Sequence, residues 1–200
     1  MAIIAIVGVD GCGKTTQAKM LVSRLKGEGY NAVYVQPVTF LKSILFGLAE
    51  LSVSPRKRRT SDELNKNTFI NFILACLGLM YALVTVLILK FIGIGKLIIC
   101  DRYFYHFFFD LFGDKYRIFV RLLPKPDIVI FLDADIDLLY KRMDLFDARV
   151  ERGYYVNVIR MYRELSCRYG FIKLDACEDK LSLSDVIYGI VSARYKNRKI

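Results

Sequence analysis

The first sixteen residues, MAIIAIVGVDGCGKTT, restrict the fold more than any other stretch of the chain. Residues 2–7 form a continuous apolar run with the length of a buried strand. Residues 8–15 fit the pattern GxxxxGK[ST] at every fixed position, and residues 14–27 predict an amphipathic helix. Strand, glycine loop and helix in this order predict a phosphate-binding loop. The alternative is a chance glycine turn before a helix, and the strand in front argues against it.

Each position of this loop has an expected role in holding a triphosphate. Lys14 should reach the β- and γ-phosphates, the Thr15 hydroxyl should bind Mg²⁺, and Thr16 should donate to the α-phosphate. The glycines leave backbone N–H groups free to wrap a phosphate at the helix N-terminus, where the helix dipole also favours an anion. The predicted nucleotide-binding residues are Gly8, Asp10, Gly11, Cys12, Gly13, Lys14, Thr15 and Thr16.

Asp10 is an acidic residue inside the loop, and its presence there needs an explanation. A carboxylate beside a triphosphate is electrostatically costly, so we expect Asp10 to engage a sugar hydroxyl or a cation. An aspartate that only bonds its own backbone in a turn fits the position equally well.

Strand-like apolar runs alternate with helical stretches through the rest of the chain. The predicted strands after the first span 31–36, 96–100, 127–132 and 170–174. The predicted helices after the first span 39–50, 62–92, 104–121, 135–144, 152–168 and 183–195. Most of these strands are largely apolar and helices lie between them. We therefore expect one α/β domain over residues 1–200, with a parallel sheet covered by helices on both faces.

Asp101 and Arg102 directly follow the strand at 96–100. Ligands of parallel sheets gather at the carboxyl ends of the strands. An acid at this position is expected to organise Mg²⁺ or its waters, and Arg102 is expected to hold a second phosphate. An acid that only caps the next helix is the alternative. We expect that capping role for Asp133 or Asp135, which follow the strand at 127–132.

Residues 67–89 carry no charge, so by length alone they are a candidate membrane span. Connectivity argues against a span, because Lys14 and Asp101 flank the stretch and must meet one nucleotide. We expect a helix buried in the core or in a dimer interface, with membrane contact as the alternative, to which the aromatic stretch 103–112 adds slightly. His106, the single histidine, is expected to be packed rather than catalytic.

The chain has a net charge of +10, with 30 Lys and Arg against 20 Asp and Glu. This surplus fits nucleotides, nucleic acid or acidic lipid, and a solvated basic surface explains it equally well. The basic cluster at 55–59 is expected to be a solvated loop, so we expect no nucleic-acid partner. Five cysteines without a CxxC pair predict free thiols in a reducing compartment, hence a cytoplasmic protein.

A basic segment at 141–153 lies between two predicted helices. Phosphoryl transfer needs movable positive charge over the transferring group and exclusion of water. The segment therefore predicts a short lid at about 142–153, which opens at the carboxyl edge of the sheet. A charged, exposed helix connection in which Arg142 pairs with a nearby acid is the alternative.

Taken together, these segments resemble the thymidylate kinase family of P-loop nucleoside monophosphate kinases. The segments that match, in family order, are GVDGCGKTT at 8–16, Pro37, GKLIICDRY at 95–103, PDIVIFLDAD at 126–135, KRMDLFDARVERG at 141–153 and LDA at 174–176. The resemblance implies a P-loop kinase fold with a five-stranded parallel sheet, and a homodimer. It also implies ATP as donor, Mg²⁺, and a deoxynucleoside monophosphate as acceptor, with dTMP the expected one.

The resemblance also implies roles for individual residues. Asp10 would lie near the sugar and phosphate of the acceptor, Asp101 would organise the Mg²⁺ waters, and Arg102 would hold the acceptor phosphate. Arg142 and Arg149 would close over the transferring phosphoryl group. The implied catalytic residues are Lys14, Asp10, Asp101, Arg102, Arg142 and Arg149, and the implied metal-binding residues are Thr15 and Asp101.

The chain departs from the family where the base is read. The family's Arg-Glu-Pro-Gly motif after the second strand is replaced by VQPV at residues 35–38. The family's base-reading Arg is absent near Leu79 and Met80. The family's Gln is replaced by Leu111 or Phe112. Aromatic rings are still able to stack a base. The candidate acceptor-binding residues are Asp10, Pro37, Phe40, Phe72, Arg102 and Tyr105.

Two kinds of function fit these features. The first is ATP-dependent transfer of a phosphoryl group to dTMP or to another nucleotide or nucleoside. The second is a P-loop protein that binds nucleotides without catalysis because its acceptor site has decayed. Asp10, Asp101, Arg102 and the basic segment favour the enzyme, because a pure binder needs fewer charges at these positions.

Overall fold

The structure is a computed structural model, which describes residues 1–38, 68–142 and 152–196. One sheet of five parallel strands forms its centre. The strands are β1 Ala2–Val7, β2 Ala32–Val35, β3 Leu97–Asp101, β4 Ile128–Asp133 and β5 Ile172–Asp175. Their order across the sheet is β2-β3-β1-β4-β5. The predicted parallel sheet is confirmed, and the strand bounds lie close to those expected from sequence.

β1 occupies the middle of the sheet because every one of its six residues is apolar and buried. It pairs with β3 on one side and with β4 on the other. The register places Ile6 beside Asp101 and Val7 beside Phe131. The residues that follow β1, β3 and β4 therefore meet at one edge of the sheet, which we call the carboxyl edge.

Seven α-helices connect or follow the strands in the described part of the chain. They are α1 Lys14–Gly27, α2 Thr68–Ile92, α3 Tyr105–Phe112, α4 Arg117–Leu122, α5 Ile136–Arg142, α6 Arg152–Tyr169 and α7 Lys180–Tyr195. The chain moves one way across the sheet after β1 and the other way after β2, β3 and β4. Right-handed crossovers therefore put α1 on one face and α2, α3, α4 and α6 on the other. α7 packs on α1, so both faces are covered.

The single helix predicted over 104–121 is wrong. The structure has α3, a 3₁₀ turn at Gly113–Tyr116 and then α4. Gly113 takes φ 52° and ψ −129°, a conformation that ends α3 and that glycine adopts without steric cost. α7 also begins earlier than predicted, because the Asp179 side chain caps it by accepting from the N–H groups of Leu181 and Ser182. The predicted helix at 39–50 and the basic cluster at 55–59 lie outside the described residues.

α2 packs on the rest of the protein through a narrow stripe of mostly small residues. The buried members are Asn71, Ala75, Gly78, Ala82 and Val86. A Cβ on Gly78 would lie 2.2 Å from the ring of Phe107, so glycine lets α2 and α3 approach closely. Leu74, Leu79, Tyr81 and Leu89 are partly buried beside this stripe, and most of the remaining helix surface is apolar and exposed. α2 is therefore not the fully buried core helix that its composition suggests. Its exposed members include Phe69, Phe72, Ile73, Leu77, Met80, Val84, Leu87, Ile88, Phe91 and Ile92.

By length and composition α2 is able to cross a membrane: Asn71–Ile92 has a mean hydropathy of 2.7, and 22% of this stretch is buried. The strands on either side of this helix in the chain belong to one sheet. β2 before it pairs with β3 after it, and the Thr15 hydroxyl lies 2.6 Å from the Asp101 carboxylate. A single crossing by α2 would separate β2 from β3, so this pairing argues against it.

Candidate active site

The phosphate loop lies at the carboxyl edge, between β1 and α1. Gly8, Gly11 and Gly13 have φ values of 148°, 84° and 90°, which L-residues rarely adopt. A Cβ on Gly8 would lie 2.7 Å from the Leu132 carbonyl oxygen and 2.8 Å from Cys12 Sγ. The loop therefore needs glycine at this position to pass beside the end of β4. This geometry is the predicted one: strand, tight glycine loop and helix N-terminus.

Lys14 is held inside the loop by buried partners. It is 5% exposed, and its Nζ donates to the Val9 carbonyl at 2.5 Å and lies 3.6 Å from Asp10 Oδ1. Cys12 Sγ lies 3.8 Å from the same Nζ, and burial raises the pKa of the Cys12 thiol. The thiol therefore stays protonated at neutral pH and adds no charge to the loop. Lys14 supplies the positive charge here, in the place where a phosphate would enter.

Asp10 is a buried carboxylate with two cationic neighbours. Its Oδ1 lies 2.6 Å from Arg102 Nη2 as well as 3.6 Å from Lys14 Nζ. Asp10 therefore joins the phosphate loop to the residues that follow β3. Of the two sequence-based alternatives, the contact with a cation is the one that the structure supports.

Arg102 adopts an unusual backbone conformation directly after β3. Its φ is 74°, the left-handed region, and it is the single non-glycine residue with positive φ among the described residues. Such a conformation costs roughly 1 kcal/mol or more for a residue with a Cβ. The turn is fixed by its own N–H, which donates to the Ile6 carbonyl at 3.0 Å. The strained turn directs the guanidinium to Asp10, and 35% of the side chain remains exposed to receive a ligand.

Asp101 is fully buried and accepts three side-chain hydrogen bonds on one oxygen. Its Oδ2 accepts from Thr15 Oγ1 at 2.6 Å, from Tyr34 OH at 2.7 Å and from Gln36 Nε2 at 2.8 Å. Its Oδ1 is buried and has no hydrogen-bond partner among the described residues. A buried carboxylate oxygen without a partner is costly, and a Mg²⁺-bound water would satisfy it. Thr15 and Asp101, the predicted metal-binding pair, are therefore adjacent and fit a hard cation.

Tyr34 and Gln36 belong to this site, and the sequence prediction assigned neither of them a role. Gln36 was identifiable as a polar residue at the end of β2. Tyr34 gave no signal, because alternate residues of a strand face opposite sides and its partner lies 67 positions away. Burial and the hydrogen bond to Asp101 raise the pKa of Tyr34 to about 12. Tyr34 therefore keeps its proton and remains a donor to Asp101 throughout the neutral pH range.

The two acids after β4 have structural roles. Asp133 pairs with Arg163 Nε at 3.0 Å and with Lys173 Nζ at 3.5 Å. Asp135 accepts from the N–H of Asp137 at 2.8 Å at the start of α5. The cap predicted for Asp133 or Asp135 is therefore Asp135.

The structure describes two of the three predicted acceptor-binding aromatic residues, Tyr105 and Phe72. Tyr105 is buried, and its ring packs on Tyr103 and on Phe171, which precedes β5 at the opposite edge of the sheet. The ring is thus in the core beneath the sheet and not beside the phosphate loop, which contradicts its predicted stacking role. Phe72 is 54% exposed on α2, and its role stays a prediction. Phe40 lies outside the described residues.

Pro37 lies at the end of β2, and its carbonyl accepts a hydrogen bond from Tyr81 OH at 3.1 Å. This contact ties α2 to the carboxyl edge of the sheet. The contact of Pro37 with an acceptor stays a prediction.

His106 belongs to a hydrogen-bonded cluster between α3 and α6. Its Nε2 lies 2.6 Å from Tyr154 OH, which in turn donates to Asp110 Oδ1 at 2.6 Å. The ring of His106 also packs edge-on against buried Tyr162, whose electrostatic neighbours include Arg102. The expectation of a packed histidine is met, but its contact with Tyr154 was not visible from the sequence, because the two residues lie 48 positions apart.

The predicted lid falls mostly in the part of the chain that the structure does not describe. Arg149 lies outside it, and only the backbone of Arg142 is described, at the end of α5. Arg152, the first residue of α6, pairs with Asp137 of α5 at 2.7 Å. This ion pair holds together the two helices that flank the basic segment.

Comparison with known proteins shows which sequences this chain resembles. No protein-family model matches the chain. The chain is 28% identical to a probable thymidylate kinase of Sulfurisphaera tokodaii over 203 residues, covering 96% of this chain and 97% of that protein. The chain is therefore similar to thymidylate kinases over almost its whole length. It is also 27% identical to a probable thymidylate kinase of Pyrococcus horikoshii, over 86% of this chain and 81% of that protein.

A bacterial member of the family extends the match to almost the full length. The thymidylate kinase of Neorickettsia sennetsu is 24% identical over 216 residues, covering 98% of this chain and 96% of that protein. Because this alignment covers 98% of the chain, it includes both parts of the candidate site, the glycine loop and the residues after β3.

Proposed function

We propose that this protein transfers the γ-phosphoryl group of ATP to dTMP, giving ADP and dTDP. The observation that carries the proposal is the contact between Asp10 in the phosphate loop and Arg102 after β3. It sets a second cation, one with a partly exposed guanidinium, beside the loop that receives the donor phosphates. A protein that only binds ATP needs Lys14 but has no use for a strained arginine next to it.

The charges of the site are arranged for an in-line transfer. Lys14 is buried and directed into the loop, where it would stabilise the donor's β- and γ-phosphates. Arg102 would hold the acceptor phosphate in a two-point contact, which fixes its orientation as well as its position. Asp10 holds both cations in place before substrates bind, so little reorganisation accompanies binding. No covalent intermediate with the protein is required, because positioning and charge stabilisation carry most of phosphoryl-transfer catalysis.

Mg²⁺ fits the pair formed by Thr15 and Asp101. The Thr15 hydroxyl and the unpartnered Asp101 Oδ1 are oxygen ligands, which Mg²⁺ prefers directly or through water. When bound, the ion would neutralise charge on the transferring phosphates. Tyr34 and Gln36 hold the other oxygen of Asp101 and thereby fix the direction of the carboxylate.

Replacing Tyr34 with phenylalanine is expected to raise the Mg²⁺ concentration needed for half-maximal turnover by about tenfold, because one charge-assisted hydrogen bond to Asp101 is lost. Tyr188→Phe removes a hydroxyl from α7, where the ring lies against Arg24 of α1, and should leave the Mg²⁺ requirement unchanged. Titrating Mg²⁺ at saturating ATP measures both. An unchanged requirement in Tyr34→Phe would show that Tyr34 does not orient Asp101.

The acceptor-binding pocket is the part of the proposal with the fewest assigned groups. The family's base-reading Arg and Gln have no counterpart at the expected positions, so base recognition would rest on stacking and shape, with Phe72 and Phe40 as the proposed rings. The basic segment at 142–153 is proposed to bring Arg142 and Arg149 over the transferring group. This would compensate for Cys12, which is a neutral thiol in the loop.

We further propose a homodimer in a reducing cytoplasm. The exposed apolar side chains in the middle of α2, among them Leu77, Met80 and Val84, offer a continuous surface for a second copy. All five cysteines are free thiols in the structure, in keeping with a reducing compartment.

Product analysis tests the transfer itself. Incubation with ATP, Mg²⁺ and dTMP should give dTDP and ADP in equal amounts, separated by anion exchange. Omission of dTMP is the control and should leave ATP largely intact. ADP and inorganic phosphate without dTDP would show an ATPase, and the proposal would be wrong.

A further inference from the structure

The amino edge of the sheet, opposite the phosphate loop, carries an exposed apolar turn that no function discussed so far uses. Phe91, Ile92 and Ile94 lie at the end of α2 and in the turn before β3, and they are 81%, 64% and 73% exposed. One such residue on a surface needs no explanation. Three exposed apolar residues within four positions at the end of a helix form an apolar tip. Exposure of this tip to water is energetically unfavourable.

Basic residues precede and follow this tip in the chain and recur along the same edge of the sheet. Lys90 lies in the last turn of α2, and Lys96 follows the tip directly. The Lys96 carbonyl accepts from the N–H of Ala2, and the N–H of Asp127 donates to the Ile3 carbonyl. The segments before β3, β1 and β4 therefore share one edge, and Lys125 lies on the last of them.

The end of α4 contributes to the same edge, because helices in a parallel α/β fold run opposite to the strands. Arg121 lies in its last turn, and the neighbouring Leu122 is 57% exposed. Among the described residues no carboxylate pairs with Lys90, Lys96, Arg121 or Lys125. Helix dipoles favour bases at helix C-termini and explain Lys90 and Arg121. They do not explain Lys96 and Lys125, which precede strands.

We propose that this amino-edge tip docks on the surface of an anionic lipid bilayer. Protruding aliphatic and aromatic side chains that enter the headgroup region, surrounded by lysines and arginines that meet anionic headgroups, are the two components of peripheral membrane binding. The net charge of +10 has the sign that such a surface attracts. β1 is six residues long, so the tip lies roughly 20 Å from the phosphate loop. Docking at the amino edge therefore leaves the active site open to the aqueous phase.

The chemistry of the tip argues against the other possible occupants. The phosphates of a nucleic acid would pair with the lysine and arginine side chains but would leave Ile92 and Ile94 exposed without a contact. A second copy of the chain that met this tip across a two-fold axis would bring the same lysine and arginine side chains together. Their repulsion opposes association. A bilayer with anionic headgroups satisfies the apolar and the basic groups at once.

Sedimentation with sucrose-loaded vesicles tests the proposal. The whole protein should pellet with vesicles of phosphatidylcholine mixed with phosphatidylserine, and should stay in the supernatant with phosphatidylcholine alone or at high salt. Both Phe91→Ser with Ile94→Ser and Lys90→Glu with Lys96→Glu should weaken binding about tenfold or more. The matched controls are Leu181→Ser and Lys180→Glu, two exposed residues in the first turn of α7 at the opposite edge of the sheet, and both should bind like the unmodified protein.

Circular dichroism and dTMP phosphorylation should be unchanged in the tip variants, since they lie far from the site. Equal pelleting of the tip variants and their controls would overturn the proposal, as would equal binding to neutral and anionic vesicles. Analytical ultracentrifugation tests whether a second copy of the chain binds the tip instead. If Phe91→Ser with Ile94→Ser converts a dimer to a monomer without altering vesicle binding, the tip is an interface between copies and not a lipid-binding surface.

Discussion

Lys14→Ala is expected to reduce nucleotide turnover roughly 1,000-fold or more. The lysine is 5% exposed and its Nζ lies within the loop, bonded to the Val9 carbonyl and near Asp10. Its removal takes away the positive charge that would meet the β- and γ-phosphates. It also leaves Asp10, a buried carboxylate, with Arg102 as its one remaining cationic partner among the described contacts. Turnover with ATP, Mg²⁺ and dTMP measures the effect.

Lys26→Ala is the matched control, because Lys26 lies on the same helix but at its exposed end, and its turnover should be unchanged. Lys14→Arg should also fail, since the larger guanidinium does not fit the buried space that holds one amine at 2.5 Å from the Val9 carbonyl. If the turnover of Lys14→Ala lay within about threefold of that of the unmodified protein, the glycine loop would not be the donor site.

Arg102→Ala is expected to reduce transfer roughly 100- to 1,000-fold while ATP binding stays close to normal. The guanidinium contacts Asp10 and is partly exposed at the carboxyl edge, where an acceptor phosphate would bind. Donor phosphates rest on the loop and on Lys14, so the donor site keeps its main contacts. Transfer to dTMP and binding of a fluorescent ATP analogue, measured on the same preparations, separate the two effects.

The left-handed backbone of Arg102 provides a second variant for this test. Arg102→Gly removes the guanidinium and adopts φ 74° without steric cost, whereas Arg102→Ala keeps the strain of roughly 1 kcal/mol or more. If the guanidinium matters, both variants lose transfer equally, although glycine also relieves the backbone strain that arginine and alanine share. Retained transfer in Arg102→Gly would show that the guanidinium is not required. Weakened ATP binding with intact transfer would contradict the proposed role.

The phosphate loop was predictable because its information is local. Strand, glycines, lysine and helix follow one another within twenty or so residues, and the φ values of Gly8, Gly11 and Gly13 are those that the pattern requires. The parallel sheet was predictable for a similar reason, since buried strands of a parallel sheet are apolar runs between helices. Asp101 and Arg102 were found because parallel strands bring their carboxyl ends to one edge.

The contacts that orient these residues were not predictable. The bonds from Tyr34 to Asp101 and from Tyr154 to His106 join residues far apart in sequence, and no local pattern specifies them. Tyr105 was misplaced because Phe171, the ring that it packs against in the core, lies far along the chain, so no local pattern showed this contact. The exposure of α2 was not predictable, because composition reports how apolar a helix is, but not how much of it the rest of the protein covers.

The measurement that tests the central claim most directly is ADP release, with ATP and Mg²⁺, from a panel of acceptors. The panel contains dTMP, dUMP, dCMP, dAMP, dGMP, UMP, CMP, AMP, GMP and thymidine, each assayed alone against a blank without acceptor. The account predicts the highest kcat/KM with dTMP, which would mean that stacking and shape replace the missing base-reading Arg and Gln. Preference for another acceptor, or no acceptor-dependent release from protein that still binds ATP, would contradict it.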